Sequence, residues 1–405
     1  MKRLSLLLAA TALGAGSAFA QAGAPVEVGR PNAPDQKPAF EGQTRVGQPE
    51  NPAEVRTETV AEGLPQLWSM EFMPDRRMLV TAKKGQMLIL SEDGKPGEPI
   101  SGVPKVDSGG QGGLLDVALA PDFAQSNMVY FSFSEPREGG GNATSVARGM
   151  LRANESNSGA LENVEVIFRQ TPAYDGNKHF GSRLTFAPDG KLFVTVGERS
   201  DEPIRDQAQD LNSGLGKVFR INADGSTPQD NPFVGREGAQ GEIWAYGFRN
   251  MQAAALDGQG RFWIVEHGSK GGDELNRPEA GKNYGWPLVT YGVDYSGQPI
   301  GEGLTAKEGT EQPVYYWDPV IGPSGMTFYG GDAIPEWKNA FLIGGLVTRD
   351  LVVLRMDGDR VRTEERVPLE ARVRDVKVGP DGAVYAVTES RGGSSTIMRI
   401  TKTGA

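Results

Sequence analysis

An all-β fold, a six-bladed β-propeller of four-stranded antiparallel blades, is what this sequence predicts, and three observations carry the prediction. A short alternating apolar strand followed by a turn close to Pro-Asp-Gly recurs six times after residue 62. Beyond the first 20 residues no stretch keeps a 3.6-residue apolar period, whereas many short runs alternate at period two. The copies lie roughly 45 to 75 residues apart, which is room for four strands and their loops.

The chain opens with an export signature. Lys2 and Arg3 form a basic start, residues 4–13 are largely apolar, and Ala18-Phe19-Ala20 supplies a small-x-small cleavage pattern. Residues 1–20 therefore read as a cleavable signal peptide and the mature chain as periplasmic. The rival reading, a membrane anchor, suits so short and Gly-rich a run poorly. Residues 21–62 are rich in Pro, Gly, Glu, Gln and Ala, and read as an extended arm that acts as a tether. Residues 63–405 read as the six-bladed propeller, the domain expected to carry the chemistry.

Four copies of the repeat are plain: Ser69-Met-Glu-Phe-Met-Pro-Asp75, Leu115-Asp-Val-Ala-Leu-Ala-Pro-Asp122, Arg183-Leu-Thr-Phe-Ala-Pro-Asp-Gly190 and Arg374-Asp-Val-Lys-Val-Gly-Pro-Asp-Gly382. Two are degenerate, Ala253 to Gly260 and Gly325 to Gly331. Pro fixes φ at one turn position, Asp accepts a local backbone bond and Gly takes positive φ, so each copy is half of a hairpin. One blade cannot bury both its faces, and stacking blades around an axis solves this while leaving only short edges. A seven- or eight-bladed ring with unseen copies is the competing count.

Composition narrows the chemistry. The 405 residues include no Cys and two His, which excludes disulfides, thiolate nucleophiles, Cys-ligated zinc, iron–sulfur centres and a three-His metal site. The net charge is −10, and loss of Lys2 and Arg3 takes it to −12, which argues against nucleic acid or an anionic membrane as partner. Walker, HExxH, GxSxG and GxGxxG motifs are all missing.

The remaining chemistry sits in loops beside the repeats. His179 and His267 each lie in a Gly-containing loop, where a neutral imidazole suits a general base. Gly109-Gly-Gln-Gly-Gly113 lets backbone approach a ligand and offers the amide of Gln111. Arg249 and Asn250 end a strand side by side. Arg372 and Arg374, two apart on a strand, share a face, and paired guanidiniums call for an anion unless nearby acids balance them. Gly271-Gly-Asp-Glu274 with Gly281-Lys-Asn-Tyr-Gly-Trp-Pro287 offers hard oxygen ligands of a kind that suits calcium. One base, convergent arginines, amides and a hard cation together bind an organic polyanion and remove a proton.

On these residues the sequence resembles the soluble pyrroloquinoline quinone (PQQ)-dependent sugar dehydrogenases, and looks nearest to the bacterial aldose sugar dehydrogenase branch. Seven motifs carry the likeness in order: Gln111-Gly-Gly-Leu-Leu, His179-Phe-Gly-Ser-Arg, Gly247-Phe-Arg-Asn, Glu266-His-Gly, Gly272-Asp-Glu, Lys282-Asn-Tyr-Gly-Trp-Pro and Arg372-Val-Arg-Asp. The resemblance implies oxidation of aldoses at C1 to lactones by PQQ with calcium, and passage of electrons to an acceptor that the sequence does not identify. It implies His179 as base, Arg249 as stabiliser of the developing oxyanion, and Gln111, Arg249, Asn250, Arg372 and Arg374 as cofactor-binding residues. It also implies main-chain carbonyls of Gly268 and Ser269 as calcium ligands, with Glu274 and the Tyr284 carbonyl at a further calcium. Where relatives place a Lys against the quinone, this chain has Val347, and Arg349 is the expected substitute. Lys178 precedes the base where the glucose enzyme has an acid. The rival functions are a non-catalytic propeller that binds glycan or protein, and a calcium-dependent sugar lactonase.

Overall fold

A computed structural model describes residues 23–404, and the signal-peptide assignment lies outside the described residues. Six small antiparallel sheets form a closed ring. The innermost strands are Leu67–Phe72, Leu114–Leu119, Leu184–Phe186, Met251–Leu256, Pro323–Tyr329 and Arg372–Val378, numbered here as blades one to six. Each of the six sequence copies falls on one of these strands and its turn. The innermost strands touch in a closed cycle, the sixth against the first.

Six apolar clusters lie between successive blades, so each blade buries both faces against its neighbours. Trp263 and Phe341 show the pattern: fully buried, they pack across blades four and five with tilted rings 5.4 Å apart. The ring is closed by strand Val55–Leu64, which pairs antiparallel with Ser395–Lys402 as the outermost strand of blade six. The last blade is thus built from both ends of the chain.

Two expectations need correction. Blade one has three strands, Leu67–Phe72, Met78–Ala82 and Gln86–Leu90, where four were expected. Residues 93–99, Asp-Gly-Lys-Pro-Gly-Glu-Pro, follow the third, and proline cannot donate to a ladder, so only an isolated bridge from Leu90 to Pro96 forms. The arm boundary at residue 62 falls inside the closing strand. Residues before that strand are also docked. Asn32 and Ala33 donate their N–H groups to the Asp318 carboxylate at 2.7 and 2.9 Å, and fully buried Gln43 donates to the Pro313 carbonyl at 2.9 Å. The segment is irregular in backbone but seated on blades four and five.

The axis is filled by charge. Arg183 pairs with Asp116 at 2.9 Å and Asp375 at 3.0 Å and lies 4.3 Å over the Trp68 ring. Asp116 also accepts from the Ser69 hydroxyl, and Asp375 from the Met70 N–H. Innermost strands of blades one, two, three and six are tied through this one buried guanidinium. Among the described residues no helix is long and apolar enough to cross a membrane.

Candidate active site

In an antiparallel blade the start of the innermost strand and the end of the second strand lie at the same end of the propeller. That geometry gathers the candidate residues. Gln111 precedes Leu114–Leu119, His179 precedes Leu184–Phe186, Arg249 and Asn250 precede Met251–Leu256, and Arg372 and Arg374 lie in Arg372–Val378. All six line one axial cavity of about 470 Å³, with His267, Trp68, Gln252, Tyr295 and Val347.

His179 is the best positioned base. Its Nδ1 lies 2.6 Å from Oε1 of Glu198, a carboxylate with no exposure. Burial, with the Arg249 guanidinium beside it, holds the imidazole well below its usual range and therefore neutral. Burial also pushes the Glu198 carboxyl up, to about 7. With Glu198 accepting from Nδ1–H, the lone pair falls on Nε2. His267 also lines the cavity, but its Nε2 has no partner and burial lowers it to about 3. The carboxylate is what separates the two histidines.

The loop that carries His179 is strained and held. His179 has φ of 50° and Ser182 of 97°, values that side chains disfavour. The His179 N–H donates to the Gln111 side-chain oxygen at 2.9 Å, and the Gly181 N–H to the Asn250 side-chain oxygen at 3.1 Å. Both amides therefore commit their oxygens to the backbone of the His179 loop and keep N–H groups for a ligand. Gly197 must be glycine, because a Cβ there would sit 2.2 Å from the His179 carbonyl.

Arg249 is buried; its Nη1 donates to the carbonyls of His267 at 3.2 Å and Gly268 at 2.6 Å, and its N–H donates to Glu266 at 2.6 Å. Arg374 pairs with Glu389 at 2.8 Å and donates to the Gln252 side chain, while Arg372 lies 3.5 Å from the same carboxylate. One acid serves two guanidiniums, so the pair stays net positive.

The remaining residues divide. Gly268, Glu274 and Tyr284 line a small cleft together with Glu266 and Trp286, and Ser269 does not line it. Glu266 and Glu274 are both buried, share Asn276 as donor at 3.2 and 3.3 Å, and repel, so both carboxyls are held above their usual range. Among the described residues no cluster of three or more His, Cys, Asp or Glu forms a metal centre. Arg349 is a correction: it does not line the cavity. The Leu346, Val347 and Thr348 N–H groups donate back to Gly322 and Ile321, and this turn puts Val347 on the cavity and Arg349 on the exposed side with φ of 68°.

Sequence reasoning missed Glu198, Glu389 and Lys83, all wall or support residues of the site. A positional signal was present. Glu389 and Glu266 end the second strands of their blades, Glu198 lies two residues past Leu192–Val196, and Lys83 follows Met78–Ala82.

The family model described as Glucose / Sorbosone dehydrogenase matches residues 64–399. The chain is 42% identical to the aldose sugar dehydrogenase YliI of Escherichia coli over 84% of this chain and 92% of that one. A crystal structure of the soluble aldose sugar dehydrogenase from Escherichia coli, in the apo-form, superposes with a TM-score of 0.81 at 40% identity, covering 86% of this chain and 99% of the other. The PQQ-bound form of the aldose sugar dehydrogenase from Streptomyces coelicolor superposes with a TM-score of 0.70 at 28% identity, covering 86% and 99%. With the match running from the end of the closing strand into the last strand and so covering all six innermost strands, the chain belongs to the glucose/sorbosone dehydrogenase family.

Proposed function

We propose that this protein is a periplasmic oxidoreductase that converts aldose sugars at C1 to lactones, with PQQ as hydride acceptor and calcium as a second cofactor. The observation that carries the reading is a neutral histidine tied at 2.6 Å to a buried carboxylate, in a cavity walled by cations.

The residues fit the quinone. Five Lys or Arg side chains and one carboxylate line the cavity, and its volume suits a small tricyclic ligand. Arg372, Arg374 and the amides of Gln111 and Asn250 would hold its carboxylates and carbonyls. When bound, PQQ supplies the two-electron acceptor for the C1 hydride. His179 takes the proton of the C1 hydroxyl on Nε2, and Glu198 stabilises the imidazolium that results. Arg249, fixed in advance by carbonyls and by Glu266, offers its guanidinium to negative charge that develops during transfer.

The Glu266–Glu274 cleft fits a hard cation, because two repelling buried carboxylates beside carbonyls are what a dication relieves. Glu274 and the Tyr284 carbonyl would hold it. Gly268 and Ser269 would serve a calcium on the cofactor side, where the ion supplies Lewis-acid polarisation; the Gly268 carbonyl now accepts from Arg249.

The test is absorbance titration of the protein with PQQ, with and without calcium, followed by dye reduction with a panel of aldoses. Bound quinone without turnover of any aldose would refute the activity, and absence of binding would refute the cofactor. Fractionation of the expressing cell tests location: the mature protein is expected in the periplasmic fraction, without residues 1–20.

A further inference from the structure

We infer that Lys83, on blade one, is a cofactor-holding residue whose ammonium pairs with a carboxylate of the quinone. The inference rests on the quinone-dependent reading above. Lys83 directly follows strand Met78–Ala82 and lines the axial cavity, in the place that Glu389 occupies in blade six.

Its backbone is fixed. The N–H donates to the Gln66 carbonyl at 2.8 Å, and its own carbonyl accepts from Leu114 at 3.1 Å. Gly113 approaches so closely that a Cβ there would sit 2.0 Å from that carbonyl. The ammonium is thereby aimed from a rigid strand end.

The charge pattern singles it out. Arg372 and Arg374 share Glu389, Arg249 is committed to carbonyls, and Arg391 is exposed. Lys83 is part-buried and donates only to the neutral Gly110 carbonyl, with no carboxylate in ion-pair contact among the described residues. An unpaired, partly desolvated ammonium is costly, and an anionic ligand within reach removes the cost. Burial and nearby Arg374 already hold this ammonium below its usual range, a shift that an anion in the cavity would reverse.

The experiment is titration of the apo-protein with PQQ, followed by absorbance, for wild type, Lys83→Gln, Lys83→Arg and Lys84→Gln. Glutamine keeps a donor for the Gly110 carbonyl and loses the charge; arginine keeps the charge; Lys84 is exposed next door. Lys83→Gln is expected to weaken binding roughly 10- to 100-fold at unchanged apo melting temperature. Lys83→Arg should bind within about threefold of wild type, and Lys84→Gln like wild type. Wild-type affinity in Lys83→Gln overturns the inference, and so does a Lys83→Arg variant as weak as Lys83→Gln, which would mean that the residue only shapes the loop. A wild-type protein that binds no quinone overturns the functional reading itself.

Discussion

Replacing Glu198 by Gln removes one charge from behind the base and keeps its shape. The carboxylate contacts His179 Nδ1 at 2.6 Å, and its other oxygen accepts from Ser200 N–H at 3.0 Å. In the proposed reaction positive charge appears on the imidazole only as it takes the substrate proton, so the carboxylate favours the transition state over the ground state. Charge centres about 4 Å apart at an effective dielectric near 20 interact by about 4 kcal/mol, or roughly a thousandfold in rate. The loss should fall on kcat, with KM within about threefold, because Glu198 lies behind the histidine and does not line the cavity. The assay is dye reduction by quinone-loaded enzyme at pH 8, where the carboxylate form prevails over a carboxyl that titrates at about 7. An acid raised to that value is charged only above it, so wild-type kcat should rise with pH through about 7 and the Gln variant should lack that limb. A variant with kcat within about threefold of wild type, or one whose loss tracks weakened quinone binding, would refute the reasoning.

Further expectations follow from the same geometry. His179→Gln removes the proton acceptor and should leave residual turnover at least a hundredfold below wild type with quinone absorbance intact; full activity would move the base elsewhere. Arg374→Gln breaks the Glu389 pair and the Gln252 contact, and should weaken quinone binding at least tenfold, read by absorbance titration; binding within about threefold of wild type would refute its role. Calcium added to chelator-treated protein should raise the melting temperature through linkage, the stabilisation being about 2.7 kcal/mol at a hundred times its Kd. Glu274→Gln should abolish that response, and a variant that responds like wild type would place the ion elsewhere.

The fold was legible because each blade repeats a local rule. The Pro-Asp-Gly turns of Asp189-Gly190 and Asp381-Gly382 need only neighbouring residues to form, and the inner strands before them alternate visibly. Even the degenerate copies at Ala253 and Gly325 kept strand and turn. The ring closure was not legible, because Val55–Leu64 pairs with Ser395–Lys402 across the whole chain and is half exposed, so it shows little apolar alternation. The same holds for the arm. Its anchors, such as Asn32 to Asp318, are hydrogen bonds of main chain to a distant carboxylate, which composition does not announce. In the site, residues adjacent to strong motifs were found and their partners were not. Glu198 is one acid among many until the fold sets it behind His179, and Arg349 and Val347 can be told apart only by a turn whose N–H groups all bond back to the preceding strand entrance.

The axis carries two opposite answers to buried charge, and the contrast locates function. At Arg183 each charge is met: two carboxylates, the Gln252 carbonyl and the Trp68 face surround one guanidinium. A compensated cluster of that kind ties strands together and offers a ligand nothing. Toward the mouth the balance is deliberately incomplete, with Arg374 bonded to the side chain of the same Gln252 and Glu389 shared between two arginines. An excess of buried positive charge is unfavourable in the empty site and favourable once an anion arrives, so stability is given up there in exchange for binding. The chain's formal net charge of −10 therefore says nothing of the sign at this end of the axis. The uncompensated end of the axis is therefore where an anionic ligand gains most, and the Arg183 cluster lines a separate cavity.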